Sequence, residues 1–372
     1  MIRLSKSSLN EKEKQSVMGV LDREYLGMGV EVQKFEKNLS VFFNRPALCV
    51  VNGTAALHLA LQACGIGSGD EVLVQSLTYI ASFQAISATG AKPIACDIVP
   101  ETITLDLNDA EKRLTSKTKA IMPVHYSGGV GQLNKIYDFA KEHNLRIIED
   151  AAHAFGSSYK GKRVGSFGDI ACFSFDGIKN ITSGEGGCIV TEDEFILQKV
   201  QDARLLGVEK DTEKRYSESR SWDFDVTEQG WRYHMSNIMA AIGIVQLDRF
   251  QEIQEKRRNL ATHYTYCLKD NSNFSFIDHD YSVVVPHIFP IQIRDPFDRD
   301  KLIRAMAEAG VQTGYHYHPN HLLTLYSKKP PHFLPNTETI FPTLLTLPLH
   351  EDLSFQDVDF ISSTLNHTYG NC

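Results

Sequence analysis

The chain has 372 residues, 42% of them hydrophobic, enough for a large core, and its length suggests a big domain plus a smaller one. A formal net charge of -8 argues against binding a nucleic-acid backbone, and no apolar run is long enough to span a bilayer. The opening Met1-Ile2-Arg3-Leu4-Ser5-Lys6 lacks the apolar core of a signal peptide, and the seven cysteines form no Cys-x-x-Cys pair, which fits small core residues in a reduced cytoplasm.

Helical patterns cover residues 10–22 and 31–43. The apolar run Leu48 to Val51 then meets Asn52-Gly53-Thr54-Ala55-Ala56-Leu57, which reads as a strand, a tight glycine turn and a helix N-terminus. Strand signals follow at Glu71 to Val74, Lys92 to Cys96, Lys119 to Pro123, Leu145 to Asp150, Ile170 to Phe175 and Cys188 to Thr191, with helical stretches such as Leu133 to Glu142 between them. This alternation predicts an α/β fold with a mostly parallel sheet covered by helices and its chemistry at strand ends. Lys160-Gly161-Lys162-Arg163 reads as a solvated hairpin tip. Arg215 to Trp231 has no clear period and reads as an active-site flap or interface loop, with a disordered tip around Glu218 as the alternative. A long helix from Ser236 to about Thr262 leads into the smaller domain, so that residues 1–250 form the large domain and 251–372 the small one. There the run Val283 to Pro290 has strand character and Phe297 to Ala309 is helical.

Lys179 follows the apolar run ending Phe173-Ser174-Phe175 and precedes the glycine-dense turn Gly184-Glu185-Gly186-Gly187, while Ile147-Ile148-Glu149-Asp150 ends a neighbouring strand. A lysine and an aspartate delivered from neighbouring strand ends are what pyridoxal phosphate chemistry needs. The lysine forms the Schiff base, and the aspartate holds the proton on the pyridine nitrogen so that the ring can act as an electron sink. The free N–H groups of the helix beginning at Gly53 suit a phosphate, with the hydroxyls of Thr54 and Ser174 as further donors. Tyr79 could lay its ring on a flat cofactor. A solvated lysine near a turn is the ordinary alternative for Lys179, and Gly-Thr-Ala also opens ordinary helices; the combination is what points to a site. Tyr315-His316-Tyr317-His318-Pro319-Asn320-His321 invites a metal reading, but the proline and the lack of nearby cysteine or acidic ligands disfavour it, and no metal is expected. His125 and His350 are most simply structural, and the Gly184 to Gly187 turn lacks the Lys-Ser/Thr of a Walker loop.

These motifs, together with Leu26-Gly27-Met28-Gly29, Phe35-Glu36, Ala151-Ala152-His153, Gly168-Asp169-Ile170, Met235-Ser236-Asn237 and Leu347-Pro348-Leu349-His350, resemble nearly end to end the DegT/DnrJ/EryC1/StrS family of sugar aminotransferases, fold-type I pyridoxal-phosphate enzymes. The resemblance implies a seven-stranded large domain with a smaller C-terminal α+β domain, and a homodimer with shared active sites. It implies Lys179 as Schiff-base lysine and general acid/base, Asp150 at the pyridine nitrogen, His153 near the ring hydroxyl and Tyr79 stacked on the ring. Gly53, Thr54, Ala55 and Ser174 are then expected at the phosphate. Gly27, Met28, Glu185, Tyr315, His316 and His318 are expected around the substrate. Arg232 stands where many relatives have an asparagine that reaches the partner's phosphate; it could make that contact, point to the substrate's nucleotide, or stay in solvent.

The activity so implied is transamination of a nucleotide-linked keto-6-deoxy sugar, 4-keto favoured over 3-keto. L-glutamate is the expected donor and pyridoxamine phosphate the intermediate, and the product is an amino sugar for surface polysaccharide, glycoprotein or antibiotic. Sugar 3-dehydratases of the same fold carry histidine at the lysine position, so Lys179 argues against deoxygenation. The rivals are a keto-inositol aminotransferase and a non-catalytic regulator on the same scaffold.

Overall fold

The computed structural model describes residues 1–209, 211–217, 224–294, 297–327 and 333–369. Its strands are β1 (Ala47–Val50), β2 (Glu71–Gln75), β3 (Lys92–Cys96), β4 (Thr118–Met122), β5 (Arg146–Asp150), β6 (Ser158–Tyr159), β7 (Lys162–Arg163), β8 (Ile170–Ser174), β9 (Gly187–Val190), β10 (Phe274–Phe276), β11 (Phe289–Ile293) and β12 (Leu344–Leu347). Seven form one sheet in the order β1-β9-β8-β5-β4-β2-β3. Only β9 runs against its neighbours, pairing antiparallel with both β1 and β8, while β8, β5, β4, β2 and β3 are mutually parallel. This is the mostly parallel α/β sheet read from the alternation, with strand bounds within a residue or two of those expected.

Burial on both faces explains why these strands are near-continuous apolar runs. Alternate residues feed two separate cores. Cys49, Leu73, Ile121, Ile147 and Phe173 face one, covered by the helix Val30–Phe43 through Val32, Phe35, Leu39 and Phe43. Val50, Val72, Val74, Met122 and Ile148 face the other, covered by the helix Gly53–Ala63. Because the strands are parallel, their C-terminal ends open on one edge, and that edge carries Asp150, Ser174 and the turn after β1.

A second, antiparallel sheet, β10-β11-β12, packs with the helices Phe250–Leu268, Arg299–Glu308 and Phe355–Tyr369 around Leu260, Tyr264, Phe289, Met306, Leu345 and Ile361. The start of the chain joins it, with Ile2 bridging to Val311 and the Leu4 carbonyl accepting from Leu349 N. The long helix expected from Ser236 breaks at Arg249 into Asn237–Asp248 and Phe250–Leu268; Arg249 leaves helical geometry at φ -98, ψ 9 and donates to Glu13. Ser236 caps the first of these helices by accepting from Met239 N. The strand expected from Val283 to Pro290 starts only at Phe289. Pro286 removes a ladder donor, and the N–H groups of Val285 and His287 go to Ser157 Oγ and Ser127 O, so this segment lies across the large sheet's loops. The Lys160 to Arg163 stretch forms the tip of the β6–β7 hairpin.

A buried ion pair ties the irregular segment after residue 204 to the core. Arg204, fully buried, donates to Glu36 and to the Cys49 carbonyl (2.7 Å), and Tyr216 of the helix Asp211–Tyr216 donates to the same carboxylate. The disordered tip considered at Glu218 lies outside the described residues. Arg204→Leu leaves the Glu36 charge without its main partner, and chemical denaturation is expected to show a loss of about 3–5 kcal/mol; a loss under about 1 kcal/mol would mean that water or Tyr216 replaces the guanidinium. Among the described residues no helix is long and apolar enough to cross a membrane, and all six cysteines there are free.

Candidate active site

Asn52, at the end of β1, caps the helix Gly53–Ala63 by accepting from Ala55 N (2.8 Å). That capping bond spends the Ala55 N–H, and the Ala55 side chain is buried. Of the three residues expected at the phosphate here, Gly53 and Thr54 line the cavity and Ala55 does not. A side chain at 53 would not fit, since its Cβ would lie 2.8 Å from that of Ser174 on the neighbouring strand end. Gly187 has a parallel reason: its Cβ would lie 2.6 Å from the Asn52 carbonyl, so glycine lets β9 pass the turn. The result is a helix N-terminus bordered by the hydroxyls of Thr54 and Ser174, a cradle that fits a phosphate.

The cradle forms one end of a cavity of about 420 Å³. Asp150 enters from the end of β5; its Oδ2 accepts from Ser82 Oγ at 2.7 Å and its Oδ1 from Ala152 N at 3.2 Å. Lys179 enters from the turn after β8, its N–H bonded to Asp176 O (3.0 Å) and its Nζ 3.3 Å from His287 Nε2. Burial pushes the Lys179 amine down to about 8, against the opposing pull of the Asp150 and Asp176 carboxylates. His153 lies beside them, with Tyr317 Oη 2.9 Å from its Nε2 and the His287 ring 4.5 Å away. Burial, reinforced by the Lys179 charge, holds both imidazoles well below their ordinary range, so both are neutral. The exposed ring of Tyr79 stands at the mouth against Tyr317, with centroids 5.4 Å apart.

A lysine with a lowered pKa facing a carboxylate, a helix N-terminus with added hydroxyls and an aromatic flank together fit pyridoxal phosphate. Lys179 would hold its carbonyl carbon, Asp150 its ring nitrogen, and Gly53, Thr54 and Ser174 its phosphate.

The residues expected around the substrate divide. Glu185 and His316 line the cavity. Met28 is fully buried among Val32, Phe35 and Phe175, so it is a core residue and cannot touch a ligand here. Gly27 is exposed and its carbonyl accepts from Asn237 N. Tyr315 carries the Arg299 guanidinium over its ring and packs on Phe341, which also takes the edge of His318; neither lines the cavity. The histidines of this segment do not converge on a metal: His316 bonds Thr346 Oγ1, His318 meets Phe341, and His321 lies between Ser76 and Glu338. Among the described residues one group of mixed ligand type sits elsewhere, His263, Cys267 and Asp359, already joined by hydrogen bonds. Arg232 is exposed, bridges to Leu205 through its backbone, and does not line the cavity. His125 is structural, pinned to Glu149 beneath the site.

Sequence reasoning missed Ser82, His287, Tyr317 and Asp176. Ser82 was legible in principle as a hydroxyl one helical turn past Tyr79; His287 and Tyr317 arrive from distant segments, and no spacing signals that.

The DegT/DnrJ/EryC1/StrS aminotransferase family model matches residues 7–366. The chain belongs to this family. Its relatives include the GDP-perosamine synthase of Escherichia coli O157:H7, 39% identical over 369 residues that cover 98% of this chain and 97% of that one. Among solved structures, Spr1654 of Streptococcus pneumoniae in its PMP form is 30% identical with a TM-score of 0.91 over the whole of both chains. PseC of Helicobacter pylori, an aminotransferase involved in the biosynthesis of pseudoaminic acid, is 26% identical with a TM-score of 0.92, again over all of both chains. An aminotransferase needs an amine that can both bond a carbonyl and move a proton, and among the described residues Lys179 is the lysine that lines this cavity.

Proposed function

We propose that this aminotransferase uses pyridoxal phosphate to move an amino group from L-glutamate to a nucleotide-linked keto-6-deoxy sugar, 4-keto in preference to 3-keto. The observation that carries the reading is Lys179 Nζ in a buried cavity with Asp150 and a phosphate cradle around it. The near full-length match to a GDP-perosamine synthase supports a nucleotide-linked acceptor.

Bound pyridoxal phosphate supplies an electron sink for the carbon–hydrogen bond that breaks in each half-reaction. The chain's residues do the rest. Lys179, its amine near 8, can accept and return a proton close to neutral pH. Asp150, oriented by Ser82, keeps the ring nitrogen protonated. The neutral rings of His153 and His287 surround the amine without adding charge that would hold it protonated. Glu185 and His316 offer hydrogen bonds to a sugar at the open side. Arg232 is proposed to serve the partner's phosphate in a homodimer, which its exposure and distance from the chain's own cavity favour. The large domain is proposed to end at residue 250, beside the helix break.

The test is the visible spectrum of the cofactor-loaded protein before and after L-glutamate, followed by a panel of nucleotide keto-sugars. Loss of the lysine-bound chromophore with release of 2-oxoglutarate, then amine transfer to a 4-keto nucleotide sugar, is the expected result. Transfer only to a keto-inositol would overturn the acceptor, and a chromophore that no amino donor alters would favour a non-catalytic scaffold.

A further inference from the structure

We propose that His263, Cys267 and Asp359 form a zinc-binding site on the smaller domain. None of the three lines the cavity around Lys179. His263 and Cys267 stand four residues apart on the helix Phe250–Leu268, so one helix face presents both side chains. Asp359 meets them from the helix Phe355–Tyr369, which packs against the first. One donor atom from each residue lies within 4.8 Å of the other two. His263 Nε2 is 2.7 Å from Asp359 Oδ1, and Cys267 Sγ donates to the same oxygen at 3.4 Å.

The donor set selects the ion. A thiolate with an imidazole suits Zn²⁺, whereas Mg²⁺ and Ca²⁺ take oxygen ligands. Tetrahedral zinc, with bonds of about 2.0–2.3 Å, holds neighbouring donors roughly 3.3–3.7 Å apart. The sulfur–oxygen distance already fits. The nitrogen–oxygen distance has to open by less than about 1 Å, a shift within reach of the exposed Asp359 carboxylate. The imidazole is held in place by aromatic neighbours, with the Phe355 ring 4.9 Å and the Tyr266 ring 6.3 Å from its own. On binding, the Cys267 thiol gives its proton to water and the sulfur bonds the ion as thiolate. His263 binds neutral through Nε2 with its hydrogen on Nδ1, and a water takes the fourth position.

Hydrogen bonds alone would account for three polar groups meeting on a surface. They leave Ser362 unexplained. This residue, three after Asp359 on the same helix, is buried, and its Oγ has no hydrogen-bond partner among the described residues. The Cys267 sulfur lies beside it: burial and the Asp359 carboxylate raise that thiol, and the Ser362 hydroxyl works against them. A buried hydroxyl without an acceptor is costly, and a thiolate is the acceptor this one lacks. Zinc would supply it by holding Cys267 ionised, which makes Ser362 the outer donor that supports a metal-bound sulfur.

The experiment is equilibrium dialysis of the untagged full chain against Zn²⁺ with Mg²⁺ in excess, followed by metal analysis. Alkylation of Cys267, read by peptide mass spectrometry, is followed with and without zinc. The wild type is expected to retain one zinc per chain, and zinc is expected to slow alkylation of Cys267 at least about tenfold. C267A and H263Q are expected to lose the bound ion. S362A, which keeps all three ligands, is expected to weaken zinc binding roughly tenfold. A wild-type chain that retains no zinc, or gives it up to Mg²⁺, would overturn the proposal. So would zinc that stays bound in C267A, or that leaves Cys267 as reactive as before. The alkylation result is read on the wild type, so it decides the matter even where a variant fails to fold.

Discussion

Lys179→Ala is expected to abolish covalent attachment of the cofactor and to lower turnover by at least about 10³-fold, because one side chain is asked both to bond the cofactor and to carry the proton. Borohydride reduction followed by peptide mass spectrometry reads the attachment directly. The wild type should carry the adduct on Lys179 and the variant on no lysine; a variant that turned over at the normal rate would remove this residue from the chemistry. The buried amine also sets a pH dependence. With its pKa near 8, about a tenth of it is the free base at pH 7, against roughly one part in three thousand for an ordinary lysine. Only the free base attacks a carbonyl, so uptake of cofactor by the cofactor-free protein should accelerate as pH rises, about tenfold per unit below 8, and level off above it. A profile still climbing past pH 10 would show that burial does not depress this amine. A partial return of Lys179→Ala activity with added small amines would separate proton transfer from a folding defect.

The sequence made the sheet legible because its strands are short and doubly buried, so apolar runs such as Ile170 to Phe173 are bounded on both sides. The placement of Lys179, Asp150, Thr54 and Ser174 around one cavity was legible for the same reason: Asp150 and Ser174 end strands, and Thr54 and Lys179 lie just after strand ends on the same edge. Other expected residues do not line the cavity, some for local reasons and some because distant segments cross. Met28 lies in a motif expected near the substrate, yet it is fully buried in the same core cluster as Phe35. Ala55 belongs to the phosphate helix, yet Asn52 takes its N–H in capping. In Tyr315 to His318 the alternation of aromatic and imidazole groups gave no facing. Packing against Arg299 and Phe341 takes Tyr315 and His318 out of the cavity, and bonds to Thr346 and His153 hold His316 and Tyr317 within it. Those partners lie tens to hundreds of residues away, beyond the reach of local pattern.

Asp150→Asn is expected to leave the fold and cofactor binding largely intact while reducing each half-reaction by about 10²–10⁴-fold. Asparagine keeps the shape: its Oδ1 can accept from Ala152 N, and its Nδ2, in place of the second oxygen, can donate to Ser82 Oγ once that hydroxyl turns to accept. What it lacks is the negative charge that keeps a proton on the pyridine nitrogen, and without that proton the ring withdraws electrons poorly from the breaking bond. The loss should therefore fall on kcat for both glutamate and the sugar, with the KM values nearly unchanged. Ser82→Ala tests the same geometry more gently. It removes one hydrogen bond to a charged group, worth about 1.5–3 kcal/mol, and leaves the charge in place, so a loss of roughly 10- to 100-fold is expected. If Asp150→Asn were no slower than Ser82→Ala, the carboxylate would be acting through its shape alone, and the electron-sink role would have to pass to another group. Single-turnover kinetics with glutamate, read at the chromophore, separates the two cases without any sugar substrate in hand.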